Sequence, residues 1–510
     1  MYTFFHNNRH RLLTAVAQVT IEMVPELALL KIFDFYVHGE NIEAWHTLVH
    51  VCQLWRIIVF RSPSRLDLRL LYTPSTPVKK MLDIWPQFPI VIGSDDHGRD
   101  RSWLMGRTNN LIAALRLEHN DRICELDLHN MTREQLGKLF PALQKPFPAL
   151  TGVKILHRSE IPWHLPDSFL AGSTPPHLQT LILGQIQFPG LPRLLLSATY
   201  LVCLELMGLS ELGCMSPDAM ASCLSMLVRL ERLKIEFSVF SFSYQSSQHP
   251  PQQTRALLPV LSQLQYLGIA EYLEDLVARI DAPLLEKLIL AFTHATFDAF
   301  QLTHFIDRAT KFRALDEARL VFSGWGNSVT FPQIIDGRLE LDISYGVSDG
   351  RLSSLTQACV SSLLRCFIPA VEHLYIQNRS SLPRCIITAP VQVDLYTQNI
   401  FKQLQQVAWK GHSENSQWLE LLQPFTTVQD LYISREFVSK IAPALQELVE
   451  ERVTEVLPAL QTLHFEEPLS SGRDKEAIEG FVSARRLAGY PIDVSLWEDE
   501  DKPESFPNKN

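Results

Sequence analysis

The sequence predicts a mixed α/β protein in which a small helical segment precedes a long parallel β-sheet built from repeats. Three observations support this prediction. A short apolar motif recurs along most of the 510 residues, helix-like and turn-like segments separate its copies, and two short amphipathic stretches precede it. The chain is too long for one ordinary core, so it holds roughly two to four domains or one elongated repeat array.

The motif reads apolar-x-x-apolar-x-apolar from about residue 120 onward. Its clear copies are ICELDL at 123–128, LQTLIL at 178–183, LVCLEL at 201–206, LERLKI at 230–235, LQYLGI at 264–269, LEKLIL at 285–290, VEHLYI at 371–376, VQDLYI at 428–433 and LQTLHF at 460–465. Weaker copies are LTGVKI at 150–155, LDEARL at 315–320, LELDI at 339–343 and LQQVAW at 404–409. The last two apolar residues of each copy alternate, so they share one face of a short strand.

A motif that returns about every 20 to 35 residues is typical of leucine-rich repeats. In LQYLGI we take Leu267 as the central residue, and we expect Ser216 to cap a helix over residues 217–227. No single repeat can bury its apolar face, so stacked repeats share one core. An ordinary α/β domain with leucine-rich strands is the alternative, but it would not keep the motif through about a dozen copies. Irregular periods favour a ribonuclease-inhibitor-like horseshoe, with a curved parallel sheet and outer helices.

The composition shifts predict where the domains begin and end. We assign 1–20 to an N-terminal segment, 21–62 to a helical domain, 63–118 to a linker with capping strands and a helix, 119–496 to the repeat solenoid, and 497–510 to an acidic disordered tail. LDLRL at 66–70 and PIVI at 89–92 are the candidate capping strands, because a solenoid end exposes its core. The polar residues 241–255 predict a mobile loop.

The helical segment carries two apolar series with helical spacing. Leu29, Ile32, Phe33 and Tyr36 fall at i, i+3, i+4 and i+7, and Leu48, Val51, Cys52 and Trp55 repeat this spacing. Two short helices bury very little surface on their own. We therefore expect them to pack partly against another protein chain.

Charge, hydropathy and cysteine usage exclude several classes of protein. A net charge of −10 and a pI near 5.9 argue against nucleic acid as a partner. No stretch reaches the roughly 18 apolar residues of a membrane span, so we expect no membrane partner. The eight cysteines are scattered and form no CxxC pair, which is typical of a reduced chain of the cytoplasm, the nucleus or both. We expect these thiols to pack as small hydrophobic groups.

The sequence offers no motif for catalysis. It lacks a GxxxxGK[ST] phosphate loop, a GxGxxG turn and a GxSxG nucleophile elbow. His46 and His50 have metal-like i, i+4 spacing, and Asp95-Asp96-His97 lies in a polar loop. Neither group shows a full ligand set, so packing and solvation explain them better than zinc does. We expect a non-enzymatic protein with no catalytic residues, no metal and no cofactor, and an unrecognised active site is the remaining alternative.

Residues 24–56 resemble an F-box. The family pattern begins Leu-Pro-x-Glu-Leu-Leu-x-x-Ile-Phe, which Pro25, Leu29, Ile32 and Phe33 match and in which Val24 replaces the first leucine. The second block, Leu-x-x-Val-Cys-x-x-Trp-Arg, is met by Leu48, Val51, Cys52, Trp55 and Arg56. Leu27 and Ala28 depart from the usual Glu and Leu. Together with the repeats, residues 20–495 are similar to the F-box-like proteins of mushroom-forming fungi.

This resemblance implies the substrate-recognition subunit of a Skp–cullin–F-box ubiquitin ligase. The F-box would bind a Skp-type adaptor and through it a cullin, and the concave or terminal face of the horseshoe would bind an unknown target protein. The expected adaptor contacts are Val24, Pro25, Leu29, Ile32, Phe33, Leu48, Val51, Cys52 and Trp55. Some of them, above all Trp55, could instead pack inside the chain. The alternative function is a non-ligase interaction scaffold whose F-box is degenerate.

Overall fold

The computed structural model describes most of the chain. Described are residues 24–37, 44–73, 85–93, 108–116, 119–157, 163–172, 174–210, 214–237, 255–292, 300–309, 317–323, 329–335, 338–344, 372–378, 418–419, 422–423, 425–448, 450–469 and 472–497. The N-terminal segment, Asp95-Asp96-His97, almost all of the loop predicted at 241–255, the motif copy at 404–409 and the tail beyond Trp497 lie outside these residues. No helix of the described ranges is long and apolar enough to cross a membrane.

The described residues form two compact units. The first lies within Met1–Ile155 and Phe169–His177, and the second within Leu156–Ser168 and Leu178–Asn510. The first compact unit opens with three helices, α1 (Glu26–Val37), α2 (Ala44–Val51) and α3 (Gln53–Arg61).

The apolar series from Leu48 to Trp55 does not form one continuous helical face, contrary to the sequence prediction. Cys52 has extended backbone angles, φ −157° and ψ 171°, and separates α2 from α3. Its Sγ accepts a hydrogen bond from the backbone N of Trp55 at 3.5 Å, so Cys52 caps the second of these helices. An extended residue redirects the chain, and two short helices replace the single one that the spacing predicts.

A short parallel sheet follows the helices in the first compact unit. Its strands β1 (Leu70–Tyr72), β2 (Ile90–Gly93) and β3 (Ile123–Met131) lie side by side in that order. Of LDLRL, only Leu70 is in a strand, and Leu66 and Leu68 are buried in the preceding turn and coil. The other elements of this region are α4 (Thr108–Arg116), α5 (Arg133–Leu139), a 3-10 turn (Phe140–Ala142) and β4 (Gly152–His157).

Trp45 fastens the helices to this sheet. Its side chain is fully buried, and its indole Nε1 donates a hydrogen bond to the carbonyl oxygen of Arg69 at 3.0 Å, just before β1. The ring packs edge-on against Trp85 and Phe88, with centroids 5.1 and 5.5 Å apart. Phe88 immediately precedes Pro89 and β2, so one aromatic cluster joins α2 to two neighbouring strands.

The second compact unit continues the alternation of strands and helices. Its elements are β5 (Trp163–His164), β6 (Thr180–Gly184), β7 (Ile186–Gln187), α6 (Leu191–Ser197), β8 (Cys203–Leu209), α7 (Pro217–Leu224), β9 (Arg232–Phe237), β10 (Ala256–Leu257), β11 (Gln263–Gly268), α8 (Ala270–Val277), β12 (Ile280–Asp281), β13 (Lys287–Phe292), α9 (Phe300–Arg308), β14 (Glu317–Ser323), β15 (Val329–Ile335), β16 (Arg338–Ser344), β17 (His373–Asn378), β18 (Asp430–Ile433), α10 (Arg435–Gln446), a 3-10 turn (Glu450–Thr454), β19 (Thr462–Phe465), α11 (Gly472–Leu487) and β20 (Asp493–Leu496). Ser216 caps α7 through a hydrogen bond from the backbone N of Ala219, as the sequence predicts.

A ladder of leucines holds the first strands of this unit together. The parallel register aligns the motif's central residues on five neighbouring strands, and all of them are buried. These residues, which we call the leucine ladder, are Leu181, Leu204, Leu233, Leu264 and Leu288. Each buried leucine contributes about 1.5–3 kcal/mol relative to an exposed one, so the ladder is a large part of the core.

The register corrects the central residue of one repeat. Leu264, and not Leu267, aligns with Leu233 and Leu288, while Leu267 is only half-buried on the other face of β11. The next core position after Tyr266 is Gly268, and a Cβ there would lie 2.5 Å from Cδ2 of Phe237. The motif copy in register is therefore LSQLQY at 261–266, whose last apolar residue, Tyr266, aligns with Ile235 and Leu290. LQYLGI fits the same motif three positions later, and this overlap explains the wrong prediction.

The strand order departs from the chain order between β13 and β17. β15 pairs antiparallel with both β13 and β16, and β16 then pairs parallel with β14, which pairs with β17. The predicted parallel sheet is therefore interrupted at β15, which is antiparallel to both of its neighbours. Asp336-Gly337 separates β15 from β16, and a two-residue Asp-Gly connection favours an antiparallel hairpin.

Polar contacts link the helices of successive repeats. The Glu274 carboxylate of α8 accepts hydrogen bonds from the backbone N of Gln301 and Leu302 in α9, at 2.8 and 3.0 Å. Arg279 Nε lies 2.5 Å from the Asp218 carboxylate of α7. Each helix therefore satisfies polar groups of its neighbour as well as sharing its core.

The C-terminal strand β20 has no copy of the motif. Its alternating Ile492, Val494 and Leu496 would predict a strand, but the spacing of the motif is absent. Trp497, which the sequence assigns to the tail, is buried and continues the ladder of hydrogen bonds from its backbone N to the carbonyl of Phe465 at 2.8 Å.

The corrected register predicts unequal costs for two leucine substitutions three residues apart. Leu264→Ala should lower the free energy of unfolding by about 2–5 kcal/mol, because it opens a cavity in the ladder. Leu267→Ala should cost less than half as much, because Leu267 is half-exposed. Chemical denaturation of both variants measures the difference. Equal losses would contradict the register.

Candidate functional site

The first helix has apolar residues on both sides. Leu29, Leu30, Phe33 and Val37 are buried against the other helices of the first compact unit. On its remaining surface the apolar side chains of Leu27, Ile32, Phe35 and Tyr36 face solvent, and Phe35 is 90% exposed. Only Glu26, Lys31 and Asp34 interrupt the apolar surface of this helix, and a helix with so few polar residues is normally covered on more than one side. One side of α1 therefore lacks a covering element among the described residues.

The two following helices add to this exposed apolar surface. Val51 of α2 and Leu54 and Ile57 of α3 are also exposed. We call the set the helical apolar surface, comprising Leu27, Ile32, Phe35, Tyr36, Val51, Leu54 and Ile57. A groove of about 760 Å³ lies where α2 meets α3, lined by His50, Val51, Cys52, Gln53, Arg56, Ile57, Phe60 and Arg61. The groove combines apolar side chains with basic ones.

The predicted adaptor contacts divide into three groups. Pro25, Ile32 and Val51 are exposed, Val24, Cys52 and Trp55 are half-buried, and Leu29, Phe33 and Leu48 are buried within the helical part. Trp55 packs on Phe33 with ring centroids 4.7 Å apart. Their role in adaptor binding stays a prediction. The exposed residues can contact a partner directly, whereas the buried residues can act only by holding the helices in shape.

Sequence reasoning missed most of the exposed apolar residues. Leu27, Phe35, Leu54 and Ile57 lie outside the two apolar series, and Tyr36 belongs to the first series but not to the predicted contacts. The signal for those on α1 is the excess of apolar residues in ELALLKIFDFYV, where only Glu26, Lys31 and Asp34 are charged.

His46 and His50 belong to the aromatic cluster around Trp45 and Trp85. His46 stacks on Trp85, with centroids 4.8 Å apart and planes 11° from parallel, while His50 meets the same ring edge-on at 6.4 Å. Burial, and then the charge of His50, lower the pKa of His46 below its usual value of 6.5. Within the described ranges no three His, Cys, Asp or Glu side chains are placed to hold a metal ion.

The described cysteines are free thiols in protected positions. Cys203 and Cys223 are buried, and Cys52, Cys124 and Cys214 are half-buried. Burial raises the pKa of Cys124 and of Cys203 to about 11, and that of Cys214 to about 12. Because the thiolate is the reactive form, these three are poor nucleophiles near neutral pH.

An aromatic column lies on the last strands of the second compact unit, on the face opposite the core. Tyr375, Tyr432 and His464 occupy equivalent register positions, and neighbouring rings stack at 4.2 Å with planes within 10° of parallel, at 9° and 7°. Trp497 covers the two tyrosines at 5.7 and 5.4 Å. The repeated aromatic inside LYI, LYI and LHF is the sequence signal for this column.

Polar side chains border the aromatic column. Ser495 Oγ is hydrogen-bonded to Nδ1 of His464 at 2.7 Å, and the Asp430 carboxylate lies 3.5 Å from Nε2 of His464. His373 contacts the same carboxylate at 3.0 Å. Tyr375, Tyr432 and Trp497 are buried, so the column forms a small aromatic core on this face of the sheet.

Comparison with protein-family models and with curated proteins found no match for this chain. Comparison with solved structures matched 22 chains. One of them is the leucine-rich repeat-containing protein LegL7 from Legionella pneumophila, which is 12% identical, with 72% of this chain and 91% of that chain covered and a TM-score of 0.27.

The stacked His46 predicts a pH-dependent stability of the first compact unit. Because the folded protein lowers the pKa of His46, the unfolded chain binds the proton more tightly, and stability falls as the pH drops below about 6.5. His46→Phe keeps the ring stack and removes the titration. The denaturation midpoints at pH 7.5 and 5.5 should therefore lie closer together in the variant. An unchanged gap would contradict the role of His46.

Proposed function

We propose that this chain is the substrate-recognition subunit of a Skp–cullin–F-box ubiquitin ligase, which acts in the cytoplasm, the nucleus or both. The F-box-like helices bind a Skp-type adaptor and through it a cullin, and the repeat sheet binds a target protein. The chain performs no catalysis and needs no cofactor. It acts by holding a target lysine at high effective concentration near the ubiquitin-conjugating enzyme.

The helical apolar surface is the single observation that carries this proposal. All of it except Ile57 lies within residues 24–56, which resemble the F-box, and it includes four exposed apolar side chains of α1. Exposed apolar patches of this kind mark protein-interaction sites. Burial of each large side chain contributes about 1.5–3 kcal/mol, so a few of them supply a large part of a stable interface.

The groove between α2 and α3 supports a particular chemistry for the adaptor surface. Arg56 and Arg61 line it beside Val51 and Ile57, while the whole chain has a net charge of −10. Local basic charge within an acidic protein favours a partner surface with apolar anchors and acidic neighbours, because complementary potentials speed association and fix orientation.

The aromatic junction around Trp45 supports a fixed position of the adaptor-binding helices on the first compact unit. It ties α2 to the strands of this unit through a partly buried hydrogen bond and several ring contacts. Helices that are already ordered bind a partner at a lower entropic cost.

The face of the repeat sheet opposite the leucine ladder supports target binding. It presents charged residues on β9, such as Lys234 and Glu236. Parallel neighbouring strands place these side chains in rows, so a target is recognised by residues from many repeats. No short motif in the sequence identifies the target protein.

The non-ligase scaffold is the alternative, and Leu27 favours it. Leu27 stands where the F-box family has glutamate, and its side chain is 67% exposed. An exposed leucine at this position enlarges the apolar surface and changes which partner the surface fits. Direct adaptor binding separates the two functions.

Co-purification with a Skp-type adaptor tests the proposal. The wild-type chain should form a stoichiometric complex, and Ile32→Glu with Phe35→Glu should weaken binding by about 2 kcal/mol or more, which is about 30-fold. Titration calorimetry of the purified proteins gives the affinity.

The matched control is Leu487→Glu, which changes a side chain of the second compact unit that is also 90% exposed. This variant should bind the adaptor like wild type, and thermal unfolding should show all three proteins folded. If the folded wild-type chain ignores the adaptor, or if the double variant binds equally well, the ligase function is wrong and the scaffold function takes its place.

A further inference from the structure

Four successive repeats of the second compact unit share one turn before the strand. In each turn the backbone N of the first motif leucine donates to the carbonyl three residues earlier. The four bonds are Leu201 to Ala198 at 3.0 Å, Leu230 to Leu227 at 3.0 Å, Leu261 to Leu258 at 3.4 Å and Leu285 to Ala282 at 3.2 Å. Both ends of every turn are buried, so its two middle residues project from the core.

Each of these turns presents one large apolar side chain to solvent. The four residues, which we call the turn ridge, are Tyr200, Val228, Val260 and Leu284, between 39% and 52% exposed. The same turn recurs near the C-terminus, where the backbone N of Leu460 donates to Leu457 at 3.1 Å, but its middle residues are Pro458 and Ala459. The turn itself therefore does not require a large apolar residue, and folding alone does not explain the ridge.

The four turns are neighbours in space as well as in the chain. They precede β8, β9, β11 and β13, which pair in this order. The Arg229 guanidinium lies 4.7 Å from the centroid of the Tyr200 ring and joins the first two turns. Hydrogen bonds from Ser262 N to Glu231 O at 2.9 Å and from Leu258 N to Asp281 O at 2.8 Å join the others.

The spacing of the four turns matches the side-chain spacing of an α-helix and not that of a β-strand. Neighbouring strands lie ~4.8 Å apart, so four turns cover roughly 14 Å. In an α-helix with a rise of ~1.5 Å per residue, positions i, i+3, i+7 and i+10 lie on one face and cover ~15 Å. In a β-strand the residues of one face lie ~6.7 Å apart, so only one of them can be aligned with a turn at a time.

Arg229 sets the charge of the occupant. It lies within the ridge, is exposed, and forms no ion pair with a described carboxylate. A cation among apolar side chains favours a partner with an acidic residue beside its apolar face. We infer that the turn ridge is a docking site for an acidic amphipathic helix of another protein, with one apolar residue of that helix seated on each repeat.

This site is separate from the helical apolar surface and from the aromatic column, so it does not depend on adaptor binding. It is formed by the turns that precede β8, β9, β11 and β13, and not by the strands themselves. Recognition there would leave the sheet face open for a second ligand.

A synthetic helix is the probe that tests the site. It is a hydrocarbon-stapled peptide of 14 residues with Leu at positions 2, 5, 9 and 12, Glu at most others, and a terminal fluorophore; these design numbers follow the helical period of about 3.6. The control peptide has the same composition with its leucines at alternate positions. Fluorescence anisotropy with the full chain should show saturable binding of the first peptide only.

Two variants locate the binding. Val228→Ser with Val260→Ser should lower the affinity for the peptide at least about tenfold. Arg229→Gln should lower this affinity less and should make it depend less on salt. Phe300→Ser, an exposed apolar change on α9, should leave binding unchanged. Equal binding of both peptides, no saturable binding, or no effect of the double variant would overturn the inference. Self-association of the chain that the double variant abolishes would overturn it too, since a second copy would then be the occupant.

Discussion

One strand and the segment that returns from it cannot cover their own apolar face, and this constraint governs the second compact unit. The leucine ladder meets it by aligning one buried leucine from each of five neighbouring strands. Each strand completes the core of the next, so on these five strands the residues of the opposite face, such as Lys234 and Glu236, lie outside the ladder. The same packing that stabilises the repeats thereby leaves long rows of side chains for recognition.

Much of this ladder could be predicted from sequence, because a period-two pattern after a fixed leucine has few structural solutions. The repeats around Leu204, Leu233 and Leu288 have the expected register. The repeat with Leu264 is misplaced by three residues because leucines at 261, 264 and 267 let the motif fit twice. Only the pairing with the neighbouring strands, which one sequence window does not contain, selects between the two fits.

In the helical segment, the position of each helix could be predicted but the direction of its side chains could not. Periodicity identified the helices but could not separate the residues that face the chain's own core from those that face outward. Phe33 and Phe35 are two residues apart in the same helix, yet one is buried and the other is almost fully exposed. The break at Cys52 was also hidden, because a cysteine that caps a helix fits the same spacing as one inside it.

The Glu274 carboxylate, which closes the first turn of α9, makes the stability of that helix depend on its neighbour. The two backbone N groups that it satisfies have no partner in their own helix, so opening of α8 would leave both without one. The same two bonds hold the Glu274 side chain, so the dependence is mutual. Local opening of either helix would therefore loosen the other, and the two repeats would open together.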